Sequence, residues 1–227
     1  MTEVYCTTFN AWRASCPDVW DAYTRHAFVE GLQTGDLPRA AYLHYLIQDY
    51  IFLVHFARAW SLAVVKAETV EEMKTCAATV DAMVNHEMGL HVSTCQAAGI
   101  AEETLFEAEE EVANLAYTRF VMAAGLQGDF LDLMAALAPC VFGYAEIGVR
   151  LRDKADPQTT YADWIATYAD PGYQAVTVAA GQMLDKAVAR RLGDDPTRAP
   201  RWPLLERRFV KATQLEVGFW DMGLQGG

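Results

Sequence analysis

Apolar side chains recur at intervals of three and four residues along almost the whole chain, and no stretch alternates apolar and polar residues between turn signals as a half-buried strand would. A stripe of that period is buried only by a helix, so the fold class expected is all-α. Punctuation divides the stripe. A first helix is predicted over 8–33, stopped by Thr34-Gly35-Asp36-Leu37-Pro38, where Gly suits a helix end and Pro a restart; a second runs over 39–67. Thr69 followed by Glu72 has the form of a capping box, opening a third helix through Cys95. An acidic segment from Glu102 to Glu111 leads into a fourth helix to Leu126, and Asp129 caps a fifth over 130–154. Asp156-Pro157 breaks that one; a short helix follows over 160–169, another runs to Leu192, and a last one holds Glu216. No repeat or flexible linker separates these segments, so residues 1–227 are expected to form a single-domain helical bundle.

The chain has 227 residues, 52% of them hydrophobic, enough for a large core. Its formal net charge of −12 offers little to neutralise phosphates, so neither nucleic acid nor an anionic membrane is expected as a partner. The opening MTEVYCTTFNAWRASCPDVW shows no signal or transit pattern, and five cysteines without a C-x-x-C pair read as reduced thiols rather than a disulfide or zinc framework. A cytoplasmic protein is expected. The long apolar runs are interrupted by Asp49, His55 and Arg58, so no membrane span of ~18 residues is expected either.

Three segments carry chemistry. On the second helix Tyr45, Asp49, Phe52 and Phe56 share one face, an aromatic stripe with one carboxylate that no Lys or Arg within a turn can neutralise. Asp49 must find its partner on another element, as a hydrogen-bonded core aspartate or as a group that grips an aminated ring. On the fifth helix Cys140 and Tyr144 lie four apart, with Leu133, Leu137 and Ile147 extending their face. Pro139 beside the thiol removes a backbone donor at a cost of ~3 kcal/mol. By pattern alone Cys140 is an inert core thiol or a nucleophile that needs a neighbouring base. On the last helix Glu216 stands one turn before Phe219, an acid beside an aromatic or simply an exposed acid. Tyr117 and Tyr168 fall at apolar-periodic positions and read equally as core tyrosines. A metal alternative centres on His86-Glu87-Met-Gly-Leu-His91, whose histidines are five apart rather than in the H-E-x-x-H zinc spacing, while Glu87 and His91 share a face.

In order and spacing these segments resemble the thiaminase II (TenA) family. The resemblance is carried by His26-Ala-Phe-Val, Gly35-Asp-Leu-Pro, Gln48-Asp49-Tyr50, Ala116-Tyr117-Thr118-Arg119-Phe120, Ala136-Leu-x-Pro139-Cys140-x-x-x-Tyr144-x-x-Ile147-Gly148, Tyr161-x-x-Trp164-Ile165-x-x-Tyr168 and Glu216-x-x-Phe219-Trp220-Asp221. It implies a haem-oxygenase-like bundle, a homotetramer and no haem, metal or other cofactor. Because Cys rather than Glu holds the nucleophile position, it implies the cysteine subgroup, which converts 4-amino-5-aminomethyl-2-methylpyrimidine to the hydroxymethylpyrimidine and can cleave thiamin. Carried over by residue, Cys140 adds to the ring, Glu216 protonates a ring nitrogen and Asp49 receives the amino group. Tyr117, Tyr144, Tyr168, Phe52 and Phe219 would line the pocket. Phe52 stands where many members carry tyrosine, a departure that bears on substrate preference. The other readings are a di-iron oxidase on the same fold, which needs converging His and carboxylate ligands, and a pyrimidine-binding regulator without turnover.

Overall fold

The computed structural model of the chain describes residues 5–156 and 158–226, and His86 by its backbone alone. Twelve α-helices follow one another among these residues with no strand between them. The first predicted helix is instead three short ones: α1 (Thr7–Ala14), α2 (Pro17–Thr24) and α3 (Ala27–Thr34). The apolar period continues across both breaks, but local chemistry interrupts the backbone. Pro17 takes the first position of α2 and drives the residue before it out of helical geometry, so Cys16 has φ −142° and ψ 55°. At the second break the His26 ring accepts the Phe28 N–H at 3.2 Å and caps α3. Gly35 then ends α3 with φ +81°, a conformation glycine adopts without strain.

The long helix α4 (Arg39–Lys66) matches its prediction within a residue. After it, Thr69 caps α5 (Val70–Ala82) by accepting the Glu72 N–H. The expected capping box is only half made: Glu72 returns to the N–H of Glu68 rather than Thr69, and its carboxylate also accepts from Arg190 and Arg191. One turn of π-helix, Met83–Glu87, joins α5 to α6 (Met88–Ala97) within the predicted third helix. Then come α7 (Glu102–Glu107), α8 (Val112–Gln127) and α9 (Phe130–Arg152). Asp129 caps α9 in a reciprocal box with Asp132. Pro157, half of the signal for the break after α9, lies outside the described residues. Beyond it are α10 (Ala162–Ala169), α11 (Pro171–Leu192) and α12 (Trp202–Gln225), preceded by one 3₁₀ turn.

The axis of the assembly is α9, against which α2, α4, α8, α10, α11 and α12 all pack. Its length and apolarity correct the sequence expectation about spans, because α9 alone among the described helices is long and apolar enough to cross a membrane. Its apolar surface is taken up by neighbouring helices, which bury 89% of its most apolar stretch. Trp12, Trp60 and Trp220 are fully enclosed with the rings of Tyr45, Phe209 and Phe219, in one contiguous core.

Helices α9 and α10 meet at Gly148. A Cβ there would lie 2.5 Å from the main-chain carbon of Tyr168, so only glycine permits this approach. Gly148→Ala is expected to lower stability by about 1–3 kcal/mol, the usual cost of overpacking, measured as a lower urea midpoint at unchanged slope.

Candidate active site

One cavity of about 840 Å³ opens between α4, α5, the π turn, α9, α10 and α11. Of the eight residues singled out in the sequence, Asp49, Phe52, Cys140 and Tyr144 line it directly. Tyr117, Tyr168, Glu216 and Phe219 stand one layer behind, each at most 2% exposed.

Asp49 is 2% exposed and holds two donors on one oxygen. Its Oδ2 accepts the Tyr45 hydroxyl at 3.0 Å from one turn earlier on α4, and lies 2.6 Å from His91 Nε2 on α6. The other imidazole nitrogen of His91 lies 2.9 Å from the backbone carbonyl of Glu87, which can only accept, so Nδ1 carries a hydrogen. Burial alone would strip the ring of charge, but the bond to Asp49 and the charges of Asp49 and Glu87 outweigh it and raise the His91 pKa. His91 therefore keeps its second proton to higher pH than an ordinary histidine does. With Oδ2 occupied twice, Oδ1 is the oxygen left for a ligand.

Behind Cys140, Glu216 is 1% exposed and accepts the Tyr117 hydroxyl at 2.8 Å. Burial pushes its pKa up to about 8; Tyr117 opposes the rise and the charge of Asp49 adds to it. At neutral pH this carboxyl holds its proton. Cys140 sits in the middle of α9, directly after Pro139, whose carbonyl accepts the Tyr23 hydroxyl at 3.4 Å. Burial raises the thiol pKa well above its ordinary value, and the carboxyls of Glu216, Glu87 and Asp49 raise it further. The resting group is thus a neutral thiol, and reaction through sulfur requires a base at the moment of attack.

Aromatic rings give the cavity its flat walls. The Tyr144 ring packs 4.9 Å from Tyr168 and 5.4 Å from Trp220. Phe52 lies among Phe56, Tyr117 and Phe219 at 5.1, 5.1 and 5.5 Å, so Phe219 supports the wall through Phe52. The Tyr168 hydroxyl donates to Glu87 Oε1 at 2.8 Å.

Three members of the site were not picked out for it from the sequence: Glu87, His91 and Tyr173. The first two entered only as metal ligands, and their shared helical face was the signal. That face turns toward Asp49 and the cavity; the side chain of His86 lies outside the described residues. Among the described residues no three His, Cys, Asp or Glu side chains cluster as metal ligands. Tyr173 follows Pro171-Gly172 and carried no signal beyond its type.

Known proteins resemble this chain in sequence and in fold. The sequence model of the TENA/THI-4/PQQC family matches residues 13–226. A Haemophilus influenzae protein is 36% identical over 90% of this chain and 93% of its own. An aminopyrimidine aminohydrolase of Halalkalibacterium halodurans is 32% identical over 90% of this chain and 89% of its own. Among solved structures, a TenA family transcription regulator from Silicibacter sp. TM1040 superposes with a TM-score of 0.96 at 57% identity, covering 99% of each chain.

Proposed function

The chain belongs to the TENA/THI-4/PQQC family, and we propose that it is a hydrolase of thiamin-derived pyrimidines, converting 4-amino-5-aminomethyl-2-methylpyrimidine to 4-amino-5-hydroxymethyl-2-methylpyrimidine and able to cleave thiamin. The observation that carries this reading is that Cys140 and Asp49 share one aromatic-walled cavity, with the buried Glu216 carboxyl held by the Tyr117 hydroxyl at 2.8 Å nearby. An aminopyrimidine is flat, apolar on its faces and polar at its edge, which suits such a site.

In the proposed reaction the ring lies against Phe52 and Tyr144, and its amino group donates to Asp49. The Cys140 sulfur adds to a ring carbon while Glu216 gives its proton to the ring nitrogen and takes up the thiol proton. A net neutral addition results, with no free thiolate to be desolvated. The electron pair returned by the ring expels the amine from the exocyclic carbon, water takes its place, and reversal of the addition frees the thiol. The sum is amine plus water giving alcohol plus ammonia. Tyr117 holds Glu216, and Tyr168 holds a second carboxyl at the cavity wall. Where the family resemblance implies a tyrosine, Phe52 supplies ring surface without a hydroxyl, so it alters hydrogen bonding to the substrate more than stacking.

The regulator reading suggested by the Silicibacter protein finds little here for direct DNA contact, given a net charge of −12. Five free cysteines support a reducing, cytoplasmic location. A homotetramer is supported by large apolar side chains left uncovered on the single chain, including Val65, Phe106 and Val112 at 78, 78 and 82% exposure. Sedimentation equilibrium should give a mass near four chains of 25.2 kDa, and a monomer would refute this.

Ammonia release from the aminomethylpyrimidine tests the chemistry. Cys140→Ser is expected to lose ~10²-fold or more in turnover, because an alcohol is a poorer nucleophile than a thiol activated in place; unchanged turnover removes Cys140 from the mechanism. The acid form of Glu216 is the active one and is lost as pH rises through about 8, so kcat/KM in the wild type should fall above that pH. Glu216→Gln should lower the rate and abolish that alkaline limb, whereas a limb that survives the substitution belongs to another group.

A further inference from the structure

The proposed reaction uses Glu216 and Asp49 and leaves one buried acid unassigned. Glu87 ends the π turn, lines the cavity, and has its Oε1 held by the Tyr168 hydroxyl at 2.8 Å. Its backbone carbonyl anchors His91, which fixes its place relative to Asp49. A single π turn inserted into a helix re-aims one side chain, and such turns gather at functional sites.

Position separates Glu87 from Glu216. Both carboxyls raise the Cys140 thiol, but they sit on different elements, Glu87 at the end of the π turn and Glu216 on α12. Glu216 is in the layer behind the wall. Glu87 is on the wall itself, as are Asp81 of α5, Thr167 of α10 and Gly172 of α11. The cavity, about 840 Å³, has room for a pyrimidine ring and for the group it loses. No Lys or Arg is among the described residues that line it, whereas Asp81, Glu87 and Asp170 are, so the space beyond the ring favours a cation. Both leaving groups in question are cations before they depart: an alkylammonium at neutral pH, or the thiazolium of thiamin.

We propose that Glu87 is the catalytic base on the leaving-group side of the cavity, where its carboxylate holds the cationic leaving group and then takes a proton from the water that replaces it. This rests on the hydrolase reading above. After the thiol has added, the C–N bond breaks, nitrogen keeps the bonding pair and leaves as ammonia, and the exocyclic carbon becomes an electron-poor methylene. Water forms the new C–O bond, the methylene pair returns to the ring, and the water proton moves to Glu87. Glu87 passes that proton to the departing ammonia, giving ammonium. With thiamin the departing thiazole is neutral and the proton passes to solvent. Tyr168, through its hydrogen bond, is a positioning residue for this carboxylate.

The test is Glu87→Gln, which keeps the side-chain shape and an oxygen able to accept from Tyr168. Hydrolysis of the aminomethylpyrimidine and of thiamin should fall by ~10²-fold or more, in the range of a lost general base. Sodium azide should then restore turnover at least tenfold, because azide attacks the methylene without giving up a proton; the product should be the azidomethylpyrimidine. Wild type should form little of it, and Cys140→Ser should form none with or without azide. Wild-type hydrolysis rates in Glu87→Gln, or a loss that azide does not rescue, would overturn the assignment of Glu87 while leaving the hydrolase reading intact. A wild-type protein that turned over neither substrate would overturn that reading and the proposal together.

Discussion

A carboxylate enclosed by aromatic rings is tolerable only if its lost hydration is replaced, and much of this site follows from how Asp49 meets that demand. Tyr45 and His91 both converge on Asp49 Oδ2, and the imidazole, whose pKa that pairing raises, supplies the partner that α4 itself lacks. The same imidazole is tied at its far side to the Glu87 carbonyl, so the pair fixes the π turn and α6 against α4. Trp164 Nε1 donates to the Tyr45 hydroxyl at 3.3 Å and extends the network to α10. Breaking such a pair leaves an uncompensated buried charge, typically worth ~3–5 kcal/mol, which makes it a rigid reference for the rest of the cavity.

From that reference the acids of the site fall into different states through environment alone. Asp49 has the Tyr45 hydroxyl and the His91 ring against it. Glu216 has only a tyrosine hydroxyl, and burial leaves it protonated up to about pH 8. Glu87 stays raised overall: burial pushes it up, His91 and the Tyr168 bond offset part of that, and the charge of Asp49 adds to it. Three carboxyls on three helical segments thus offer an acceptor, an acid and a candidate base within one enclosure. Acid–base chemistry at neutral pH calls for groups held in different environments within one site.

The helical course was legible because burial of one stripe is a local, periodic demand; α4 and α9 follow their predicted limits to within two residues. The breaks in the first predicted helix were not, since the apolar period runs through them and only Pro17 and the ring of His26 redirect the chain. For the site, spacing along one helix revealed the Tyr45–Asp49–Phe52 face and the Cys140–Tyr144 pair. Which faces meet is a tertiary fact, so Glu87 and His91, though seen to share a face, read only as parts of a poorly spaced metal motif. The succession of family motifs selected Cys140, Glu216 and Tyr117 from many residues of the same types, and Tyr117 does bond Glu216.

The raised thiol pKa looks at first like an argument against nucleophilic sulfur, since a thiolate among Glu216, Glu87 and Asp49 would be repelled by every neighbour. The same surroundings penalise the protein's own charge separation before substrate arrives, and they relax when a ring nitrogen offers a place for a proton. In the proposed addition the sulfur gains its bond as the ring takes a proton from Glu216, and Glu216 is recharged from the thiol, so neither group is left as a bare buried anion. A site of this kind keeps an unreactive thiol at rest and releases its reactivity only toward a ligand that is both electron-poor and basic at its edge. Pairing a suppressed thiol with a suppressed acid therefore serves selectivity as well as rate, because a ligand lacking the ring nitrogen would find neither group in its reactive form.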